Sequence, residues 1–393
     1  MSCNETQQKK TVDATPPEKG SYAYDAAFLK KYLNNIIELR NNDGARVLLT
    51  GDYQARVMTS AASNDTGNSF GWINYDLIAA QKFKQQFNAV GGEERLWIGP
   101  EGGQYSFYFK KGDSFNIKHW QVPPVIDTVA YKVVHEDSSS ATFSKEATVD
   151  NFSGTTFKIE ITRSIHLLDQ ALLQTRLNTA VPAGVKWVAY ETNNNIKNTG
   201  DNEWKKETGL MSIWLLGMFT PSDETVTVVP FKNIADAKNY VTDNYFGKIP
   251  EDRLLVRDSA ILLKCDGKHR SKLGLSPAIA KPIAGSFNFK RNILTVILFP
   301  VDKNGAYVNS KWEMQQEPYK GDVVNAYNDG PLEDGSQLGP FYELESSSSA
   351  HPLKPGETQQ YKQVTCHFEG DYNGLDQLAR QLLGVKLESI KMK

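Results

Sequence analysis

Cysteine is nearly missing from this chain: Cys3, Cys265 and Cys366 are the three in 393 residues, and so odd and sparse a count excludes a disulfide framework. An excess of one charge is missing as well. Forty-four basic residues stand against 46 acidic ones, a net charge of -2, and neither sign forms a long run. Nucleic acid and anionic membrane surfaces are therefore not expected partners. No apolar run approaches the roughly 20 residues that span a bilayer. Phosphate-loop, Cys-x-x-Cys, His-Glu-x-x-His and Gly-x-Ser-x-Gly patterns are all absent, so nothing points to nucleotide, thiol-redox, zinc-protease or hydrolase-elbow chemistry. No loop carries metal-ligand spacing, and neither metal nor cofactor is expected.

What the chain does have is apolar and aromatic content, 40% and 11%, ample for a large core. Strand-like runs recur from residue 94 onward at roughly ten- to fifteen-residue intervals, separated by turn clusters. They are RLWIGP, YSFYFKK, VAYKVVHED, SATFSKEATV, FKIEITRSIHLL, LLQTRLNTAV, TVTVVPF, DSAILLKCD, SFNFK, ILTVILFPV, YELES and YKQVTCHFEG. Such regular spacing argues for antiparallel sheets rather than βαβ units. Helical periodicity is confined to three places: Tyr24–Leu39 with Asp25 as its N-cap, Asp76–Phe87, and the C-terminal GLDQLARQLLGV. The stretch Val185 to Phe219 predicts two long strands. In the first, Trp187, Ala189, Glu191 and Asn193 share one face. The second, Leu210–Phe219, is apolar on both faces and should lie buried beside it.

Residues 1–22 contain no core-forming pattern and read as a disordered tether, leaving 23–393 as one β domain with helices near its two ends. Cys3 before such a tether resembles the mature end of a bacterial lipoprotein, acylated on that cysteine. This implies a lipid-anchored location in the periplasm or on the cell surface, with the membrane engaged only through Cys3. Cys265 and Cys366 sit in strand-like runs and read as small buried apolar side chains.

Four segments together resemble the galactose-mutarotase-like superfamily: LLTGDYQARVMTS, GGEERLWIGPEGG, the Asn-Thr-Gly turn with the Trp-bearing strand after it, and FYELESSSSAHPLKPGE. The resemblance implies a mainly β chain, a large antiparallel β-supersandwich with a few peripheral helices, and a concave face that holds carbohydrate. Relatives of that kind include epimerases, lyases, glycosidase accessory domains and proteins of no known reaction. Sugar mutarotases carry a catalytic His in an Asn-His pair, and this sequence has none.

Ring opening or glycosidic cleavage needs a proton donor and a proton acceptor in a cleft. Glu101, in a Gly-rich turn after Trp97, is one candidate, and Glu191 and His119 are others. Glu343 and Glu345 alternate with Leu344, which puts two carboxylates on one side of a strand about 7 Å apart. Either they face a ligand or they are solvated. Sugars stack on aromatic rings, so Trp72, Trp97, Trp120, Trp312 and Tyr327 are candidate platforms, with the plainer role of core aromatics as the alternative. Arg56 and Arg163 suit hydroxyl or carboxylate recognition, with ion pairing as their alternative, and Asn193 is a further candidate for ligand binding. His166, between Ile165 and Leu167, reads as a core histidine. The polar stretch Trp312–Gly335 is expected to fold over the mouth of the concave face. Two functions follow: a carbohydrate-binding or carbohydrate-active envelope lipoprotein, or a non-catalytic component that holds a protein partner.

Overall fold

A computed structural model describes residues 17–64, 67–332 and 334–392. Cys3 and most of the expected tether lie outside the described residues. The chain begins with α1 (Tyr22–Tyr32), β1 (Ile36–Arg40), β2 (Arg46–Thr50), β3 (Arg56–Ala61), α2 (Tyr75–Ala80) and β4 (Arg95–Gly99). It continues through β5 (Lys132–Glu136), β6 (Ser140–Asp150), β7 (Thr156–Leu167), α3 (Gln170–Leu177), β8 (Val185–Asn198), β9 (Ser212–Phe219) and β10 (Thr225–Pro230). Short strands β11 (Val241–Thr242) and β12 (Leu254–Val256) precede β13 (Ala260–Lys264), β14 (Ser271–Leu275), β15 (Ile283–Asn288) and β16 (Ile293–Leu298). The last elements are β17 (Val324–Asn328), β18 (Tyr342–Ser347), β19 (Thr358–Gly370), α4 (Tyr372–Leu382) and α5 (Leu387–Ile390).

The strands form three antiparallel sheets: β1-β2-β3, a ten-stranded sheet ordered β12-β13-β10-β15-β16-β19-β8-β7-β6-β5, and a six-stranded sheet ordered β11-β14-β17-β18-β9-β4. Alternation explains how the two larger sheets stack. On β8, Val188, Tyr190 and Ile196 point into the main core, which they share with Ile213 and Leu215 of β9 and Leu344 of β18. Ala189 points the other way, into a second core with Cys366 and Phe368 of β19. Leu173 and Leu177 of α3 and Leu375 and Leu378 of α4 cover that outer face. Each pair sits at helical spacing on one side of its helix.

The periodicity misjudged five elements, one of them the helix expected over Asp76–Phe87, which ends at Ala80 where Gln81 turns left-handed. The helix expected over 24–39 stops at Tyr32, capped at its start by Ser21 rather than Asp25. Asp25 is buried instead and accepts the Tyr75 hydroxyl at 2.5 Å. Ile36–Arg40 pairs with β2, so that Ile37 and Leu39 join the main core: β-branched residues with period-two burial won over a weak helical pattern. LLQTRLNTAV lies largely in helix α3, because Asp169 caps it by accepting from the Leu172 N–H at 2.8 Å and Leu173 and Leu177 recur at i, i+4. YSFYFKK forms turns, its Phe107, Tyr108 and Phe109 buried without strand pairing. Within the expected loop 312–335, residues Val324–Asn328 form a strand of the six-stranded sheet. Finally, β8 and β9 are not neighbours but belong to opposite sheets.

Gly217, in the middle of β9, is held close to the adjoining chain. A Cβ there would run into the Glu93 carbonyl and the Phe219 ring. Gly217→Ala is expected to lower stability by about 1–3 kcal/mol, the usual cost of overpacking a dense core. Guanidinium denaturation of the variant checks it; an unchanged midpoint would contradict the packing described.

Candidate functional site

The even-numbered residues of β18 face the ten-stranded sheet: Leu344 is in the shared core, and the Ser346 hydroxyl donates to Gln363 Oε1 of β19 at 2.7 Å. The odd-numbered residues therefore face away from it. Strand pairing lines up what surrounds them. Lys272, Tyr327 and Glu343 stand abreast on β14, β17 and β18. Asn325, Glu345, Leu216 and Arg95 stand abreast on β17, β18, β9 and β4. Trp97 of β4 and Trp214 of β9 are paired one step further along.

Loops close over this face and leave a small cavity. Glu101, Trp120 and Ile117 come from the segment after β4, Phe246 from the loop after β11, Arg270 from just before β14, and Trp312 and Leu338 from the loops flanking β17. The enclosed space is about 60 Å³, room for a water or two.

Its walls are aromatic and its floor is charged. Trp97 packs edge-on to Trp214 with ring centroids 5.5 Å apart, and Trp120 stacks on Trp312 at 5.9 Å. Arg95 Nη1 lies 2.8 Å from Glu343 Oε1, and the Arg95 guanidinium sits 4.5 Å over the Trp97 ring. Lys272 Nζ lies 3.0 Å from Glu345 Oε2, which also accepts the Trp214 indole N–H at 3.0 Å. Arg270 stacks over Phe246 at 3.7 Å, and its Nε donates to the Tyr327 hydroxyl at 3.3 Å. That hydroxyl donates onward to Asp329 Oδ1 at 2.5 Å.

Burial sets the proton affinities. It pushes Glu343 up to about 7, against the pull of Arg95 and with the help of neighbouring Glu345. It raises Glu101 in the same way, opposed by Lys272. Six side-chain atoms of the lining are buried with no hydrogen-bond partner among the described residues: Arg95 Nε and Nη1, Trp97 Nε1, Trp120 Nε1, Glu343 Oε1 and Glu345 Oε1. Of these, Arg95 Nη1 and Glu343 Oε1 face each other as an ion pair.

Of the candidates read from the sequence, the structure brings together Glu101, Glu343, Glu345, Trp97, Trp120, Trp312 and Tyr327. It places the rest elsewhere. Glu191 and Asn193 lie on the outer side of the ten-stranded sheet, where Glu191 Oε2 accepts from Arg176 Nε at 2.6 Å. His119 is exposed, its Nδ1 3.0 Å from the Ser114 hydroxyl. Arg56 and Arg163 are fully buried. Arg56 donates to the carbonyls of Gly91 and Asp127 at 2.8 and 3.3 Å, and Arg163 pairs with Glu94 at 2.8 Å. Trp72 stands behind Phe341, ring centroids 5.0 Å apart, and lines a separate cleft beside α1. Sequence reasoning missed Arg95, Trp214, Arg270 and Lys272. The alternation of Arg95 with Trp97 in RLWIG was a usable signal, since both must share a face.

No curated protein sequence is significantly similar to the chain. Among solved structures, the Slr1438 protein from Synechocystis sp. PCC 6803 is similar in fold, with a TM-score of 0.50 and 12% identity over 86% of this chain and 96% of that one. A galactose mutarotase-like protein from Lactobacillus casei ATCC 334 is similar at a TM-score of 0.47, with 9% identity over 85% of this chain and 100% of that one. A galactose mutarotase related enzyme from Lactobacillus acidophilus is similar at 0.45, with 12% identity over 84% and 97%. Identities this low speak to fold alone, and the fold shared with the Slr1438 protein is a large antiparallel β-sandwich. A family model matches residues 20–393, nearly the whole chain, and the protein therefore belongs to DUF6786, a family of unknown function.

Proposed function

We propose that the cavity over the six-stranded sheet binds a carbohydrate, with Glu343 as the group that exchanges a proton with it. The observation that carries this reading is a set of unpartnered buried donors and acceptors, among them Trp97 Nε1, Trp120 Nε1 and Glu345 Oε1, in an aromatic-walled pocket. Buried polar groups are normally satisfied, and a ligand hydroxyl, which both donates and accepts, suits Trp97 Nε1 and Glu345 Oε1 together. The four tryptophans supply flat apolar surfaces for the C–H face of a sugar ring. A recessed cavity also suits a small ligand better than it suits a protein partner, which needs a broad patch.

A carboxyl group whose proton affinity lies near neutrality matches the work of a general acid or base. No histidine lines the cavity, so any proton handling there falls to Glu343 and Glu101. A pyranose is larger than the enclosed space, and its binding requires the covering side chains Ile117, Trp312 and Leu338 to swing outward. If Cys3 carries a lipid, the pocket works at a bacterial envelope, where saccharides are encountered outside the cytoplasm.

Isothermal titration against a panel of mono- and oligosaccharides tests the reading. Trp97→Phe keeps the ring and removes the indole N–H. It is expected to weaken the best saccharide about tenfold, the worth of one hydrogen bond, with the melting temperature within a few degrees of wild type. Failure of every saccharide to bind, or equal binding by Trp97→Phe, sinks the proposal.

A further inference from the structure

The three cations of the pocket are not equivalent. Arg95 faces the Glu343 carboxyl at 2.8 Å and Lys272 faces Glu345 at 3.0 Å. Arg270 has no carboxylate within ion-pair distance among the described residues. It makes one hydrogen bond, through Nε to Tyr327 at 3.3 Å, and Asp329 lies beyond that hydroxyl. Its guanidinium is held flat against Phe246 at 3.7 Å, at the rim of the same cavity. A guanidinium so fixed presents its two terminal nitrogens in a planar fork, which matches a carboxylate in two parallel hydrogen bonds. Stacking removes much of the side-chain freedom that such a contact otherwise costs.

From this arrangement we infer that the ligand is an acidic saccharide, its carboxylate clamped by Arg270 and its ring hydroxyls turned toward Glu101, Glu345 and Trp97. The inference rests on the carbohydrate reading of the site and narrows it. Among the described residues Glu101 is the one lining carboxylate without a cation within ion-pair distance, and burial raises its proton affinity. That shift lessens the repulsion Glu101 offers an incoming anion. Arg95 and Lys272 keep their charges committed to the floor, so that the rim arginine discriminates and the floor does not.

The test compares glucuronate and galacturonate with glucose and galactose, and with glucose 6-phosphate, by isothermal titration on the wild-type chain and on Arg270→Gln and Arg270→Lys. The uronates are expected to bind at least tenfold tighter than the matching neutral sugars. Arg270→Gln should abolish that difference, lowering uronate affinity by far more than any change it makes in neutral-sugar affinity. Arg270→Lys, which keeps the charge but not the fork, should retain only part of it. Equal affinity for uronates and neutral sugars, or an equal loss for both in Arg270→Gln, overturns the clamp while leaving the sugar site standing. Preference for the 6-phosphate over the uronate overturns the carboxylate. If no saccharide of any kind binds, the carbohydrate reading itself has failed and the inference falls with it.

Discussion

Arg163→Ala will cost about 3–5 kcal/mol of stability, the usual penalty for stripping one partner from a fully buried ion pair. Arg163 and Glu94 are both completely enclosed between the two large sheets. The Arg163 guanidinium donates to Glu94 Oε1 at 2.8 Å and to Asn194 Oδ1 at 2.9 Å. Gln363 Nε2 and the Thr365 hydroxyl also donate to Glu94, at 2.8 and 3.2 Å, so its carboxylate is fixed from three sides. Removing the arginine leaves a buried charge with only neutral donors, together with a void where the side chain was. Guanidinium denaturation reads the loss. Removing both charges, as in Arg163→Met with Glu94→Gln, should recover much of it, because the uncompensated charge is gone. A loss below about 1 kcal/mol in Arg163→Ala would mean that water reaches this pair. Saccharide affinity should not move in either variant, since the pair lies on the far side of the six-stranded sheet from the cavity.

The second large effect is on pH. Glu343 has its folded proton affinity raised from the ordinary carboxylate value of 4.5 to about 7 by burial. Between those values the folded chain holds a proton that the unfolded chain has released. The stabilisation that comes with this proton is complete below about pH 4.5 and is lost as the pH rises through about 7. Glu343→Gln holds its proton-like N–H at every pH and removes this dependence. Wild-type stability should therefore fall relative to the variant by about 1–3 kcal/mol between pH 5 and pH 8, the worth of a shift of one to two units. Glu101, Asp25 and Asp127 are raised by burial too, and whatever they contribute is common to both proteins. The difference between them isolates Glu343. Parallel stability curves for the two chains would show that the Arg95 pair keeps Glu343 ionised throughout.

Several features of the site were legible before any fold was known. Glu343 and Glu345 had to share a face because they flank Leu344, and Trp97, Trp120, Trp312, Tyr327 and Glu101 stood out as aromatics and an acid in turn-rich or strand-end contexts. Arg56, Arg163 and Glu191 stood out in the same manner and turned out to be engaged with carbonyls, Glu94 and Arg176. A buried ion pair and a binding residue look identical along a strand, since both are charges set among apolar neighbours. Their difference lies in whether a partner arrives from a segment far away in the chain. Glu94 reaches Arg163 across 69 residues, and Trp214 meets Glu345 across 131.

The order of residues by itself determined that this chain makes antiparallel sheets, that its last long helix turns Leu375 and Leu378 inward, and that the two glutamates of β18 act from one side. Period-two alternation carries that much, because it depends only on neighbours along the strand. Which side is covered was decided by the tertiary structure. Alternation says that two sets of side chains part company but not which set meets the other sheet. The stacking of the six-stranded sheet on the ten-stranded one claimed Leu344 and Ser346, and so left Glu343 and Glu345 to the cavity. The same stacking sent β8 and β9 to opposite sheets and gathered Arg95, Lys272 and Arg270 from three distant segments around one small space.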